Sequence, residues 1–148
     1  MKKVLITGAN SYVGTNVEKW LMKEPNKYYV ETLDMKDPNW KEFDFSKFDV
    51  VFHVAGIAHV SAKKSMKDLY FKINRDLTIK AANVAKNAGV KQFIFMSSMI
   101  VYNLKNTIIT KNTIPNPDNF YGQSKLEAEQ TILKMQTEKF NICILRPP

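Results

Sequence analysis

Cysteine is all but missing from these 148 residues: Cys143 is the only one, and it lies inside an apolar run. That excludes a disulfide framework, a CxxC redox pair and a thiolate zinc site, and it makes a reducing cytoplasm the default compartment. Long apolar runs are missing as well. No stretch approaches the ~20 apolar residues of a membrane span, and Met1-Lys2-Lys3-Val4-Leu5-Ile6 turns polar at Thr7, too soon for a secretory signal. Repeats, low-complexity tracts and linkers are absent too. With 45% apolar and 24% charged residues, the chain has the balance of one ordinary globular domain spanning 1–148.

Acidic residues are scarce in one place. Residues 51–117 hold ten Lys or Arg but only Asp68 and Asp76, so this stretch alone accounts for the net charge of +8. An anionic partner, nucleic acid or a phosphorylated small molecule, would be drawn to it; a solvated lysine-rich surface is the plainer reading. The lysines are not interleaved with aromatics, which argues against nucleic acid.

What is present is an alternation of short apolar runs with helical patterns. Lys3–Ile6, Tyr28–Leu33, Asp49–Ala55, Gln92–Ser97 and Asn141–Leu145 read as strands. Val13, Val17, Trp20 and Leu21 recur at helical spacing before Pro25. A helix is predicted over 66–88, with Leu69, Ile73, Leu77, Ala81, Val84 and Ala88 on one apolar stripe and Gly89 as its C-terminal cap. Another is predicted over 121–138. The segment 37–47 reads as loop with a brief strand near Phe43–Phe45, and 103–120 as an Asn-, Thr- and Pro-rich loop. Near-continuous apolar strands alternating with helices mean a doubly wound parallel α/β sheet with helices on both faces. Ligands of such sheets sit beyond the carboxyl ends of the strands.

The first of those ends is "TGANSYVG", Thr7 to Gly14. A dinucleotide cradle needs glycine here to turn tightly, to bring backbone N–H groups to a pyrophosphate and to pack helix on strand. Gly8 and Gly14 hold the outer positions; Ser11 stands where a third glycine is expected, giving up positive φ but adding a hydroxyl. Asp34 closes the second strand 20 residues after Gly14. A carboxylate there suits ribose hydroxyls and repels a 2′-phosphate, favouring NAD over NADP, although Lys36 lies nearby.

At a later strand end, "FMSSMIVY" offers Ser97 and Ser98, and "YGQSK" sets Tyr121 and Lys125 four apart on one helix face. A phenol of ordinary pKa near 10 is a poor base, but a neighbouring ammonium lowers it. Such a pair can move a proton to or from a hydroxyl while hydride passes to a cofactor. His53, in mid-strand, reads as a packed core residue. His59 reads as core or as a substrate contact, and Cys143 as inert packing.

Taken in order, "TGANSYVG", "DMKD", "FDF", "HVAG", "KINRDLT", "FMSSMIVY", "NFYGQSKLEAE" and "LRPP" resemble the extended short-chain dehydrogenase/reductases, in their NAD-dependent epimerase/dehydratase branch. The resemblance covers the whole chain and implies a Rossmann fold. It implies a catalytic trio of Ser98, Tyr121 and Lys125. For the cofactor it implies contacts from Gly8, Asn10, Ser11, Tyr12, Val13 and Gly14, from Asp34, and from Asp44 and Phe45 at the adenine. Ala55, Gly56, Asn74, Ser97 and Pro147 complete that set together with Tyr121 and Lys125; no metal is implied. Asn103 replaces the family's usual glycine.

The resemblance further implies a nucleotide-sugar substrate, UDP-linked, and a homodimer through helices 66–88 and 121–138. It also implies a C-terminal substrate lobe that this sequence does not hold. Met99-Ile100 lacks the acid pair expected of a dehydratase, which favours an epimerase or reductase over a dehydratase. A noncatalytic NAD-binding module that regulates or scaffolds is the alternative.

Overall fold

In the computed structural model, residues 1–58, 64–103 and 108–148 are described. Five strands, β1 (Lys2–Thr7), β2 (Tyr28–Leu33), β3 (Val50–His53), β4 (Gln92–Met96) and β5 (Asn141–Leu145), form one sheet in the order β2-β1-β3-β4-β5. Every neighbouring pair is parallel. The expected doubly wound sheet is therefore observed. Its strand order reverses between β1 and β3, which opens a crevice there.

The two faces follow from strand periodicity. Leu5, Val51, Phe93 and Phe95 point to one side and pack on Ala81, Ala82, Ala85, Ala128 and Ile132 of helices α3 (Thr78–Asn87) and α4 (Phe120–Leu133). Val4, Ile6, Val50 and Phe52 point to the other, where α1 (Tyr12–Leu21) lays down Val17 and Leu21. Burying a side chain of this size contributes roughly 1.5–3 kcal/mol, so these faces supply the main driving force for the fold.

Three expectations are corrected. No strand forms near Phe43–Phe45; two single 3₁₀ turns, Trp40–Glu42 and Phe45–Lys47, stand there instead. Trp40, Phe45 and Phe48 are buried in the α3/α4-side core, and anchoring three aromatics from so short a segment favours tight turns over an extended run.

The helix expected over 66–88 is not uniform. It runs as α2 (Lys67–Tyr70), a π-helical stretch Phe71–Leu77, and then α3. The wider turn rotates the buried face, so Tyr70, Asn74 and Thr78 go inside while Leu69 stays 45% exposed. The single stripe therefore splits in two. The helix expected to reach 138 stops at Leu133, and Thr137 pairs with Phe140 in an isolated antiparallel bridge. Gly89 does adopt the left-handed cap, at φ 82°, with Val90 N–H donating to Ala85 O at 3.1 Å.

Candidate functional site

The crevice between β1 and β3 is a cleft of about 670 Å³ lined by Gly8, Asn10, Ser11, Asp34, Ala55 and Gly56, all expected from the sequence. Leu69, Ile73 and Leu77 form its apolar wall. Leu69 and Ile73 are the part of the stripe that faces the cleft alone, while Leu77 lines it and also packs against the core. Periodicity alone assigned them to packing.

Backbone conformation explains the loop. Gly8 sits at φ 110°, and a Cβ there would lie 2.8 Å from Ala55 N, so only glycine fits. The second left-handed residue is Asn10, at φ 64°, a residue type that tolerates it. Ser11 needs no such freedom: its φ is −74°, and its Oγ caps α1 by accepting from Gly14 N–H at 3.1 Å. The loss expected from replacing glycine at this position does not arise. Tyr12 and Val13 are exposed in the first turn of α1, where N–H groups have no intrahelical acceptor. Gly14 is buried beneath them, where a Cβ would meet Ser11 Oγ at 2.7 Å.

Asp34 is exposed at the tip of β2 and accepts from Lys36 N–H at 2.9 Å. Asp44 and Phe45 lie apart from the cleft lining. The Asp44 carboxylate is engaged by Ser46, whose hydroxyl and N–H hold its pKa down, and Phe45 is only 1% exposed in the core. Pro147 also lies off the lining; its carbonyl accepts from Met99 N–H at 2.9 Å and ties the end of β5 to the turn that carries Ser98.

Behind Gly56 two polar side chains converge. A Cβ at Gly56 would meet Asn74 Oδ1 at 3.0 Å and Lys125 Nζ at 3.1 Å. Asn74, fully buried, accepts from Ile57 N–H at 2.9 Å and donates to Ile57 O at 3.0 Å and Ser124 Oγ at 3.2 Å. Lys125, 4% exposed, donates to Met96 O at 2.8 Å and rests 4.8 Å from the Phe95 ring. Burial pushes its pKa down to about 8, against an opposing pull from Glu129.

Tyr121 begins α4 beside Ser98, whose hydroxyl lies near enough to the phenol to favour its ionised form, while Ser98 Oγ accepts from Ile100 N–H at 3.2 Å. Gly122 makes this approach possible, because a Cβ there would lie 2.5 Å from Ile100 O. One expectation fails: burial raises the Tyr121 pKa, with only the nearby Ser98 hydroxyl opposing it. The Lys125 ammonium is directed to Met96 O instead of acting on the phenol. Without a ligand the phenol therefore stays protonated. His53 is the packed core residue the sequence suggested, at 0% exposure. His59 lies outside the described residues, and among the described residues no cluster of metal-ligating groups occurs.

The sequence reading missed a second network. Ser97 Oγ donates to Glu129, which is 1% exposed; Arg146 pairs with the same carboxylate, Nη2 to Oε2 at 2.5 Å, and Nη1 donates to Tyr102 Oη at 2.5 Å. The spacing Lys125 to Glu129, four residues on the same helix, was the available signal.

A five-stranded parallel sheet with a glycine-turned loop at the crossover defines a Rossmann-type dinucleotide-binding domain. The chain belongs to the NAD dependent epimerase/dehydratase family, whose model matches residues 4–148. It is 31% identical over 168 residues to UDP-glucose 4-epimerase of Vibrio cholerae, covering 99% of this chain and 51% of that protein. It is 28% identical over 162 residues to methionine adenosyltransferase 2 subunit beta of Bos taurus, covering 99% and 46%. Among solved structures, MoeE5 in complex with UDP-glucose and NAD superposes with TM-score 0.84 at 22% identity, over 97% of this chain and 53% of that one. The chain thus spans about half the length of these relatives. No helix among the described residues is long and apolar enough to cross a membrane.

Proposed function

We propose that this chain is the NAD-binding part of an NAD-dependent nucleotide-sugar epimerase acting in the cytoplasm on a UDP-linked sugar. The observation that carries this reading is the buried Lys125 ammonium directly behind Gly56, a residue that lines the Gly8 cleft, with Tyr121 one turn earlier on α4 beside Ser98. Gly8, Asn10 and Ser11, with the first-turn N–H groups of Tyr12 and Val13, would hold the diphosphate, and Asp34 the adenosine ribose. Bound NAD would supply the hydride acceptor and a positive ring beside the phenol. With that positive ring beside it, Tyr121 would take the proton of the sugar hydroxyl, Ser98 would hold that oxygen by hydrogen bonding, and Lys125, whose ammonium rests on Met96 O in the unliganded chain, would lend its charge to the phenolate. Asp44, Phe45, Asn74, Ser97 and Pro147 stay outside direct contact in this scheme and shape the site from behind. A homodimer through the 66–88 and 121–138 helices would cover Leu133, which is 47% exposed; light scattering that shows monomer at high concentration counts against it.

A second reading has its own support. One relative is, by its name, a subunit of another enzyme, so a noncatalytic NAD-binding module is the alternative. Calorimetric titration with NAD and NADP tests the shared part. Binding of NAD that is lost in Asp34→Ala establishes the cofactor site, and no binding of either dinucleotide sinks both readings. Transient reduction of bound NAD, read as absorbance of the reduced nicotinamide when a UDP-sugar is added, then separates them.

A further inference from the structure

A chain of buried hydrogen bonds runs under the cleft and uses no group assigned above to the chemistry, apart from the backbone and amide of Asn74. Thr7 Oγ1 lies 2.6 Å from His53 Nδ1, His53 Nε2 lies 3.0 Å from Thr78 Oγ1, and Thr78 Oγ1 donates to Asn74 O at 2.8 Å. Thr7, His53, Thr78 and Asn74 are each 0% exposed. The directions can be solved. The one hydroxyl proton of Thr78 goes to the Asn74 carbonyl, so toward His53 the Thr78 oxygen must accept. Nε2 therefore carries the imidazole proton, Nδ1 presents its lone pair, and Thr7 donates to it. Burial and the Lys125 charge, which together push His53 down to about 3, keep the ring neutral, and the hydrogen bonds to Thr7 and Thr78 select the tautomer.

The chain closes into a ring. Thr7 O accepts from Val54 N–H at 2.9 Å and Ala55 N–H at 3.0 Å, and the Asn74 amide clamps both backbone groups of Ile57. Residues 54–57 line the cleft. They are thus gripped at one end by the residue preceding Gly8 and at the other by the π-helical wall, and His53 joins the two grips from below.

We propose that His53 is a positioning residue of the cleft: as the Nε2–H tautomer it locks Thr7 to the Asn74 turn and so sets the distance between the phosphate loop and the helical wall. The wiring stands on this geometry alone, while its consequence for the cofactor rests on the reading under Proposed function. A dinucleotide must touch both walls at once, and a gap fixed in advance lowers the ordering cost of binding.

The test uses the 148-residue protein labelled with ¹⁵N at histidine, together with Thr78→Val, which removes the hydroxyl and keeps the shape. The expected spectrum assigns His53 to the Nε2–H form, unchanged from pH 8 to pH 5. In Thr78→Val the amides of Ala55 and Ile57 should exchange at least about tenfold faster relative to those of β4 and β5, and NAD should bind about tenfold more weakly. An Nδ1–H tautomer overturns the proposal. So does exchange in Thr78→Val that is unchanged or accelerated evenly across the sheet, or NAD affinity equal to that of the parent. If the parent itself does not bind NAD, the functional reading falls, and the tautomer and exchange results alone decide this one.

Discussion

Replacing Lys125 by methionine should make this protein more stable while destroying any turnover. The ammonium is buried, and its pKa stands at about 8 against an ordinary 10.5. The folded state thus binds this proton less tightly than the unfolded chain does. A depression of that size corresponds to roughly 3 kcal/mol of penalty, fully present below pH 8 and relieved as pH rises from about 8 toward 10.5. Methionine fills similar space with no charge to bury. Against the gain stands one lost hydrogen bond, to Met96 O, worth about 1 kcal/mol. Glu129 is not orphaned by the change, because Arg146 keeps its carboxylate paired. The expected net is about 2 kcal/mol of added stability at pH 7, a rise in Tm of roughly 4–8 °C. Denaturant titration at pH 7, 8 and 9 measures it. The parent should gain stability across that series and Lys125→Met should be nearly level. A variant that is destabilised at pH 7 and keeps the parent's upward slope would refute the claim that the buried charge is costly.

Acid should weaken the fold through His53. A base whose folded pKa is depressed loses stability as pH falls below its unfolded value, so between pH 7 and pH 5 the drop from 6.5 to about 3 should remove about 2 kcal/mol. His53→Gln should flatten that limb in urea melts; an equally steep limb would mean another group titrates. Gly122→Ala should cost about 1–3 kcal/mol by overpacking against Ile100 and Pro117, and should move Tyr121 off Ser98, seen as a shifted phenol titration by ultraviolet difference; an unaltered phenol would count against the close-approach argument. Ser11→Ala should lose about 1 kcal/mol as the α1 cap is removed, and Ser11→Gly only a few tenths; equal losses would show that the hydroxyl is not capping.

Much of this site is legible in the sequence, because it is written in local pattern. The Gly8 turn, Asp34 at a strand end, Ser97-Ser98 at another and the Tyr121–Lys125 spacing each depend on a few neighbouring residues. The parallel sheet follows from strand–helix alternation in the same way. What local pattern cannot carry is the rotation of a helix by a wider turn, since the apolar period of Leu69 and Ile73 looks the same whether those residues pack in a core or line a cleft. Tertiary packing decided that, by drawing Tyr70, Asn74 and Thr78 inside instead. It also decided the charge state of the chemistry. Tyr121 and Lys125 were paired by spacing, yet burial raises the first, lowers the second and sends the ammonium to Met96 O. Desolvation is set by every neighbour in three dimensions, and sequence spacing does not report it. The same reason hid the ring through Thr7, His53, Thr78 and Asn74: its members lie up to 46 positions apart within one bond, and only the folded sheet brings them into contact.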